Sequence, residues 1–217
     1  MITGQHHFAG ADALARMLAV NVAASLRQAL AGAQRATLAV SGGTTPQKFF
    51  EALSKQKLDW AQVTVTLVDE RQVPETSDRS NARLVKAALI QNEAAAARFV
   101  PLFQNPTAAA LPDFDVVILG MGNDGHTASF FPGGDRLAEA LSPTAPPLLA
   151  ISAPGAGEPR LTFSLRKLLA AKEIILHIQG ADKAATLEKA QAGNDVLEMP
   201  VRSVLQSGHQ VETYWCP

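Results

Sequence analysis

One histidine stands in a setting that chemistry can use. His126 closes the run Gly120-Met121-Gly122-Asn123-Asp124-Gly125, directly after the apolar stretch 115–119. An imidazole titrates close to neutral pH and can serve as base or acid there. Asp124, two residues earlier, is a candidate for shaping the loop or fixing the imidazole tautomer. The other four histidines offer less. His6 and His7 read as part of a loose N-terminal segment, and His209 falls in a polar loop. His177 lies inside an apolar strand pattern and reads as a satisfied core histidine.

Four further segments carry charge or glycine. In Ser41-Gly42-Gly43-Thr44-Thr45-Pro46, a strand pattern runs into two glycines, hydroxyl residues and a helix start. Backbone amides freed by glycine, together with a helix N-terminus, favour an anion. Asp69-Glu70-Arg71 follows another apolar strand; Arg71 can fork onto phosphate or carboxylate oxygens, and Glu70 reads as a solvated strand end. Arg160 follows a Pro/Gly-rich loop, and Lys183 follows Gly180 after a strand. Each reads alone as a surface cation; together with Arg71 and the glycine loop they could surround one phosphate.

Several chemistries are excluded. The Ser41 loop lacks the Gly-Lys-Ser/Thr of a Walker loop. Gly120-Met121-Gly122-Asn123-Asp124-Gly125 spells a dinucleotide pattern, but Phe131-Pro132-Gly133-Gly134 interrupts the helix that pattern needs, and Glu139 lies in no strand pattern. Ser41 does not sit in a nucleophile elbow. No histidine spacing suits a metal, and the single Cys216 excludes a multi-cysteine site, so no metal is expected.

Elements of regular spacing must position these clusters. Residues 11–31 predict a long Ala-rich helix, ended by Gly32. Strands are expected at 36–40, 63–68, 115–119, 148–152, 173–178 and 211–215. Helices are expected from Thr45 as N-cap with Pro46 at the first helical position, over 80–97, and from about 183 to 191. Residues 132–160 read mostly as loop. Apolar strands alternating with helices predict an α/β fold: a Rossmann-like three-layer sandwich with a mainly parallel sheet, as a single domain over 1–217. Ligands in such folds bind beyond the carboxyl ends of the strands, where the polar clusters fall.

Composition bounds the rest. The chain has 217 residues, 47% hydrophobic, with Lys+Arg 19 against Asp+Glu 20 for a net charge of -1. That balance argues against a nucleic-acid partner. With neither a long apolar run nor a signal-peptide pattern, no membrane partner is expected, and a cytoplasmic location is. A small-molecule substrate and a monomer or small homo-oligomer are the expected partners.

Taken in order, the clusters resemble the 6-phosphogluconolactonase family, which is related to glucosamine-6-phosphate deaminase. The matching pieces are Ser41-Gly42-Gly43-Thr44-Thr45-Pro46, Asp69-Glu70-Arg71, Ser80-Asn81, the stretch from Gly120 through His126-Thr127-Ala128-Ser129, Pro159-Arg160-Leu161-Thr162 and Gly180-Ala181-Asp182-Lys183. The resemblance implies hydrolysis of 6-phospho-D-glucono-1,5-lactone, a step of the oxidative pentose phosphate pathway, without a cofactor. It adds Asn81 to the expected substrate contacts of Ser41, Gly42, Gly43, Thr44, Thr45, Arg71, Arg160 and Lys183. It makes His126 the expected base, with Asp124 as its partner and Asp69 binding sugar hydroxyls or orienting water. Amides of the 120–126 loop are the expected oxyanion donors. Deaminase relatives carry an acidic residue five positions after the histidine, where this chain has Phe131. A deaminase or isomerase remains the nearest alternative, followed by a non-catalytic sugar-phosphate sensor.

Overall fold

Strand β2 (Ala36–Val40) is buried at every position, and so is β6 (Val116–Leu119). Strands apolar on both faces demand cover on both faces, which a central parallel sheet provides. The computed structural model describes residues 2–217 and has that sheet. In chain order its elements are β1 (Ile2–His7), α1 (Ala11–Ala33), β2, α2 (Gln47–Leu53), β3 (Val63–Leu67), β4 (Asp69–Arg71), α3 (Asn81–Ala88), β5 (Arg98–Val100), β6, α4 (Leu137–Leu141), β7 (Leu148–Ile151), β8 (Arg160–Phe163), α5 (Leu165–Leu169), β9 (Glu173–Gln179), α6 (Ala181–Ala192), α7 (Arg202–Leu205) and β10 (Val211–Cys216).

Seven strands form the parallel sheet in the order β1-β10-β9-β6-β2-β3-β5. From β2 the chain moves outward to β3 and β5, then returns to place β6 on the other side of β2. From β6 it moves the opposite way, to β9 and β10. The carboxyl ends of β2 and β6 therefore flank a topological switch point, the place where an open α/β sheet leaves a crevice. Leu14, Leu18, Val22 and Leu26 recur every fourth residue and are buried along one stripe of α1, which packs on β2, β6 and β10.

A second sheet of three short antiparallel strands, β4-β8-β7, sits over the carboxyl edge of the first. The sequence reading places 148–152 among the strands but gives no sign of β4 or β8. Both are too short to show a period, and their charged residues are those of the site.

Four boundaries differ from expectation. The N-terminal segment is not loose: β1 pairs in parallel with β10, and His6 stacks on Tyr214 at 4.4 Å. The helix expected over 80–97 stops at Ala88, followed by a 3₁₀ turn over Asn92–Ala96 and the edge strand β5. The helix after the Ser41 loop starts at Gln47, so Pro46 rather than Thr45 occupies the N-cap position. Gly32 lies within α1, which ends where Gln34 turns left-handed at φ 56°. Among the described residues no helix is long and apolar enough to cross a membrane.

Candidate active site

The loops after β2 and β6 are tied together before they form a cavity. Ser41 donates its amide to the Ile118 carbonyl (2.9 Å), and its Oγ accepts the Gly120 amide (3.1 Å). Gly43 turns left-handed at φ 89°, a conformation that favours glycine. Gly42 is required for a different reason. A Cβ there would stand 1.9 Å from Asn81 Oδ1, so only glycine lets the loop pass under α3.

The His126 loop is folded just as tightly. Gly122 donates to the His126 carbonyl (2.8 Å), and Thr127 Oγ1 donates to the Gly120 carbonyl (2.7 Å). A Cβ on Gly122 would meet His126 Nδ1 at 2.1 Å. Ala128 is held left-handed at φ 48°, a strained setting for a residue with a Cβ, at the turn that delivers Ser129. His126 Nδ1 lies 2.6 Å from Asp124 Oδ1. An ionised carboxylate only accepts, so Nδ1 carries the proton and Nε2 is the basic nitrogen. Burial pushes the Asp124 carboxyl up, but the ring and amide hydrogen bonds of His126 outweigh that and hold it below its ordinary value. The imidazole stacks on Phe131, with centroids 4.1 Å apart.

The antiparallel sheet supplies the opposite wall. Side chains alternate across a strand, so Asp69 and Arg71 share one face of β4 and Glu70 takes the other. Pairing sets Arg71 directly opposite Arg160, two cations on one face of neighbouring strands. Asp69 partly offsets them, with Oδ2 3.7 Å from Arg160 Nη1, and it accepts Ser129 Oγ at 2.5 Å. Arg160 is not the surface cation that it reads as when taken alone. It is 6% exposed, and burial pulls its guanidinium down from the ordinary value against the pull of Asp69. Arg71 Nη1 reaches Asn81 Oδ1 (2.9 Å) and the Arg79 carbonyl (2.7 Å). Among the described residues the Nε atoms of Arg71 and Arg160 are buried without a hydrogen-bond partner. Paired cations with spare donors form a cradle for an oxyanion.

These walls enclose a cavity of about 500 Å³. Ser41, Gly42, Gly43, Thr44, Thr45, Asp69, Arg71, Asn81, His126, Arg160 and Lys183 all line it. Asp124 does not line it but stands beside His126. Lys183, in the first turn of α6, is partly buried, and that burial lowers its pKa against the carboxylates of Asp124 and Asp182.

The family model for glucosamine-6-phosphate isomerases/6-phosphogluconolactonase matches residues 9–215. The chain belongs to this family. It is 49% identical to the 6-phosphogluconolactonase of Rhizobium meliloti strain 1021, covering 100% of both chains. It is 50% identical to that of Mesorhizobium japonicum, covering 94% of this chain and 91% of the relative. A crystal structure of a 6-phosphogluconolactonase from Shewanella baltica superposes with a TM-score of 0.93 at 39% identity, over 99% of this chain and 98% of the other. The cavity of this family member lies at the carboxyl edge of the parallel sheet, closed over by the second sheet.

Sequence reasoning misplaced one residue and missed others. Glu70 is buried at 1% exposure and faces the N-terminus of α3, away from solvent. Arg79 lines the cavity unannounced, and so does Phe131, which the sequence marks only as the position that separates the deaminases. The signal for Phe131 was its short spacing from His126. Arg79 had none, because its place depends on an ion pair with Glu158 (Nη2 to Oε2, 2.9 Å) between two loops. The oxyanion expectation changes too. The amides of Gly120, Gly122, Gly125 and His126 already donate to protein acceptors.

Proposed function

We propose that this chain hydrolyses 6-phospho-D-glucono-1,5-lactone to 6-phosphogluconate in the oxidative pentose phosphate pathway, with His126 as general base. The observation that carries the reading is one cavity holding an oriented imidazole and a pair of guanidinium groups, that of Arg160 buried and that of Arg71 partly buried. Relatives named 6-phosphogluconolactonase at 49% and 50% identity support the reaction.

Lactone opening needs a base for water, a stabiliser for the tetrahedral oxyanion and a proton for the departing ring oxygen. His126 Nε2 takes the proton from water and returns it to the ring oxygen. Asp124 holds the tautomer that leaves Nε2 free. Asp69, already engaged by Ser129 and facing Arg160, receives sugar hydroxyls or orients the water. The phosphate is held by Arg71, Arg160 and Lys183 with the Ser41–Thr45 loop and Asn81. Fixing the phosphate fixes the carbonyl beside the imidazole, so remote binding energy lowers the barrier by positioning. The amides of Met121 and Asn123 are the loop donors left for the oxyanion.

Phe131 bears on the deaminase alternative. An apolar ring stacked on the imidazole offers no proton for opening a sugar ring at that position. The test generates the lactone in place from glucose 6-phosphate and follows 6-phosphogluconate with a coupled dehydrogenase, against a blank for spontaneous opening. Acceleration over the blank is expected. A rate equal to the blank, with ammonia released from glucosamine 6-phosphate, would transfer the site to the deaminase reading.

A further inference from the structure

Glu70 is the one buried carboxylate at the site that the mechanism above does not use. It sits on the face of β4 opposite Asp69 and Arg71, and every polar contact it makes is with a donor. Its Oε1 accepts the amides of Arg71 (2.7 Å) and Asn81 (2.9 Å). Its Oε2 accepts the amide of Ala82 (2.7 Å) and the hydroxyl of Ser80 (3.1 Å). Burial pushes the carboxyl up from its ordinary value, and these four donors oppose it. The amides of Asn81 and Ala82 are at the start of α3, where a negative charge is also favoured by the helix dipole.

The partners of this carboxylate are themselves wall residues. Asn81, whose amide Glu70 holds, accepts Arg71 Nη1 on its side-chain Oδ1 and donates its Nδ2 to the Asp69 carbonyl (3.0 Å). The same Oδ1 fills the space over Gly42. One carboxylate thus joins β4, the start of α3 and, through Asn81, the loop after β2. We infer that Glu70 is a positioning residue for the reaction, fixing Arg71 and Asn81 at the cavity wall without touching substrate itself. This rests on the lactonase reading for its assay, and the test separates the two.

Glutamine is the informative replacement. Both carboxylate oxygens accept from a backbone amide, so the NH2 of a glutamine must face an N–H donor at whichever end it takes. Glu70→Gln is expected to raise KM for the lactone about tenfold, the scale of one charged hydrogen bond. Its kcat is expected to stay within about threefold, since His126 is not in contact with Glu70. In an Arg71→Ala background the same change is expected to add less than its full effect, because one of the two residues it acts through is gone. Wild-type KM in Glu70→Gln, or a full multiplicative effect in the Arg71→Ala background, overturns the inference. If Glu70→Gln shows no cooperative melt, Ser80→Ala removes one contact to Glu70 without a misfit, along with the N-cap bond that Ser80 Oγ accepts from the Arg83 amide (3.2 Å). A smaller KM rise there supports the inference, and an unchanged KM overturns it. Should wild type show no turnover, the lactonase reading fails. The positioning role is then read from calorimetric binding of 6-phosphogluconate, which Glu70→Gln must weaken if the inference holds.

Discussion

The two walls of the cavity are built on opposite terms. The loop after β6 presents His126 with its side chain 30% exposed, beside an Asp124 that is 46% exposed. The antiparallel sheet presents Asp69 and Arg160, each with its side chain 8% exposed. A base that exchanges protons with water needs access to it. Charges that grip an anion gain most where water is excluded and the dielectric is low. The loop is pre-shaped by hydrogen bonds, glycine and one strained alanine. The sheet is pre-shaped by strand register, which sets Arg71 against Arg160 at a cost that a bound anion repays. The difference teaches that the two walls can be damaged separately, one in turnover and the other in binding.

The largest expected effect is on the loop. His126→Ala removes the base and is expected to lower kcat by about 10²- to 10⁴-fold, with KM little changed, in the coupled assay. A kcat near wild type would break the assignment of the base to this wall. The next is on the sheet. Arg160→Ala is expected to raise KM by about 10- to 100-fold, the range for lost charge-assisted hydrogen bonds. Arg160→Lys is not expected to restore it, because an ammonium lacks the planar fork. A fall in kcat at unchanged KM would erase the division between the walls. A smaller effect returns to the loop through its backbone. Gly122→Ala puts a methyl group where His126 Nδ1 lies 2.1 Å away, so the imidazole must move. A fall in kcat of about tenfold is expected, since small misplacements of a catalytic group are costly. Unchanged kcat would show that the loop does not fix the ring.

The contrast between walls also explains what was legible in the sequence. The parallel sheet was readable because β2, β3, β6 and β9 are apolar runs flanked by helix patterns. Its loops were readable because glycine and hydroxyl residues after a strand have few uses other than turns and anions. Asp69, Arg71 and Arg160 could be named, yet their burial could not. A three-residue strand has no period, and charge alone argues for solvent. Glu70 shows the limit most clearly. Its burial follows from Asp69 and Arg71 facing the cavity, a fact of strand alternation that appears only once β4 is known to be a strand. β1 was missed for a related reason, since its burial alternates at an edge and its histidines look polar.

The smallest expected effect on turnover is at His177, and it sharpens the comparison from the sheet floor. This imidazole lies in β9, meets the edge of Phe49 at 6.1 Å and lines the cavity below both walls. Burial lowers its pKa from 6.5 to about 4, so it is neutral at physiological pH. The folded state therefore resists the proton that the unfolded chain accepts. Stability from this group is complete above the unfolded value of 6.5 and is lost as pH falls toward about 4. The full loss amounts to about 3 kcal/mol. Melting temperature measured from pH 7 to pH 4 is expected to fall, and His177→Gln is expected to flatten part of that fall while kcat at pH 7 stays near wild type. If His177→Gln melts with the same pH dependence as wild type, the buried imidazole is not what the acid attacks. If instead it cuts kcat as deeply as Gly122→Ala, the floor of the cavity belongs to the catalytic wall.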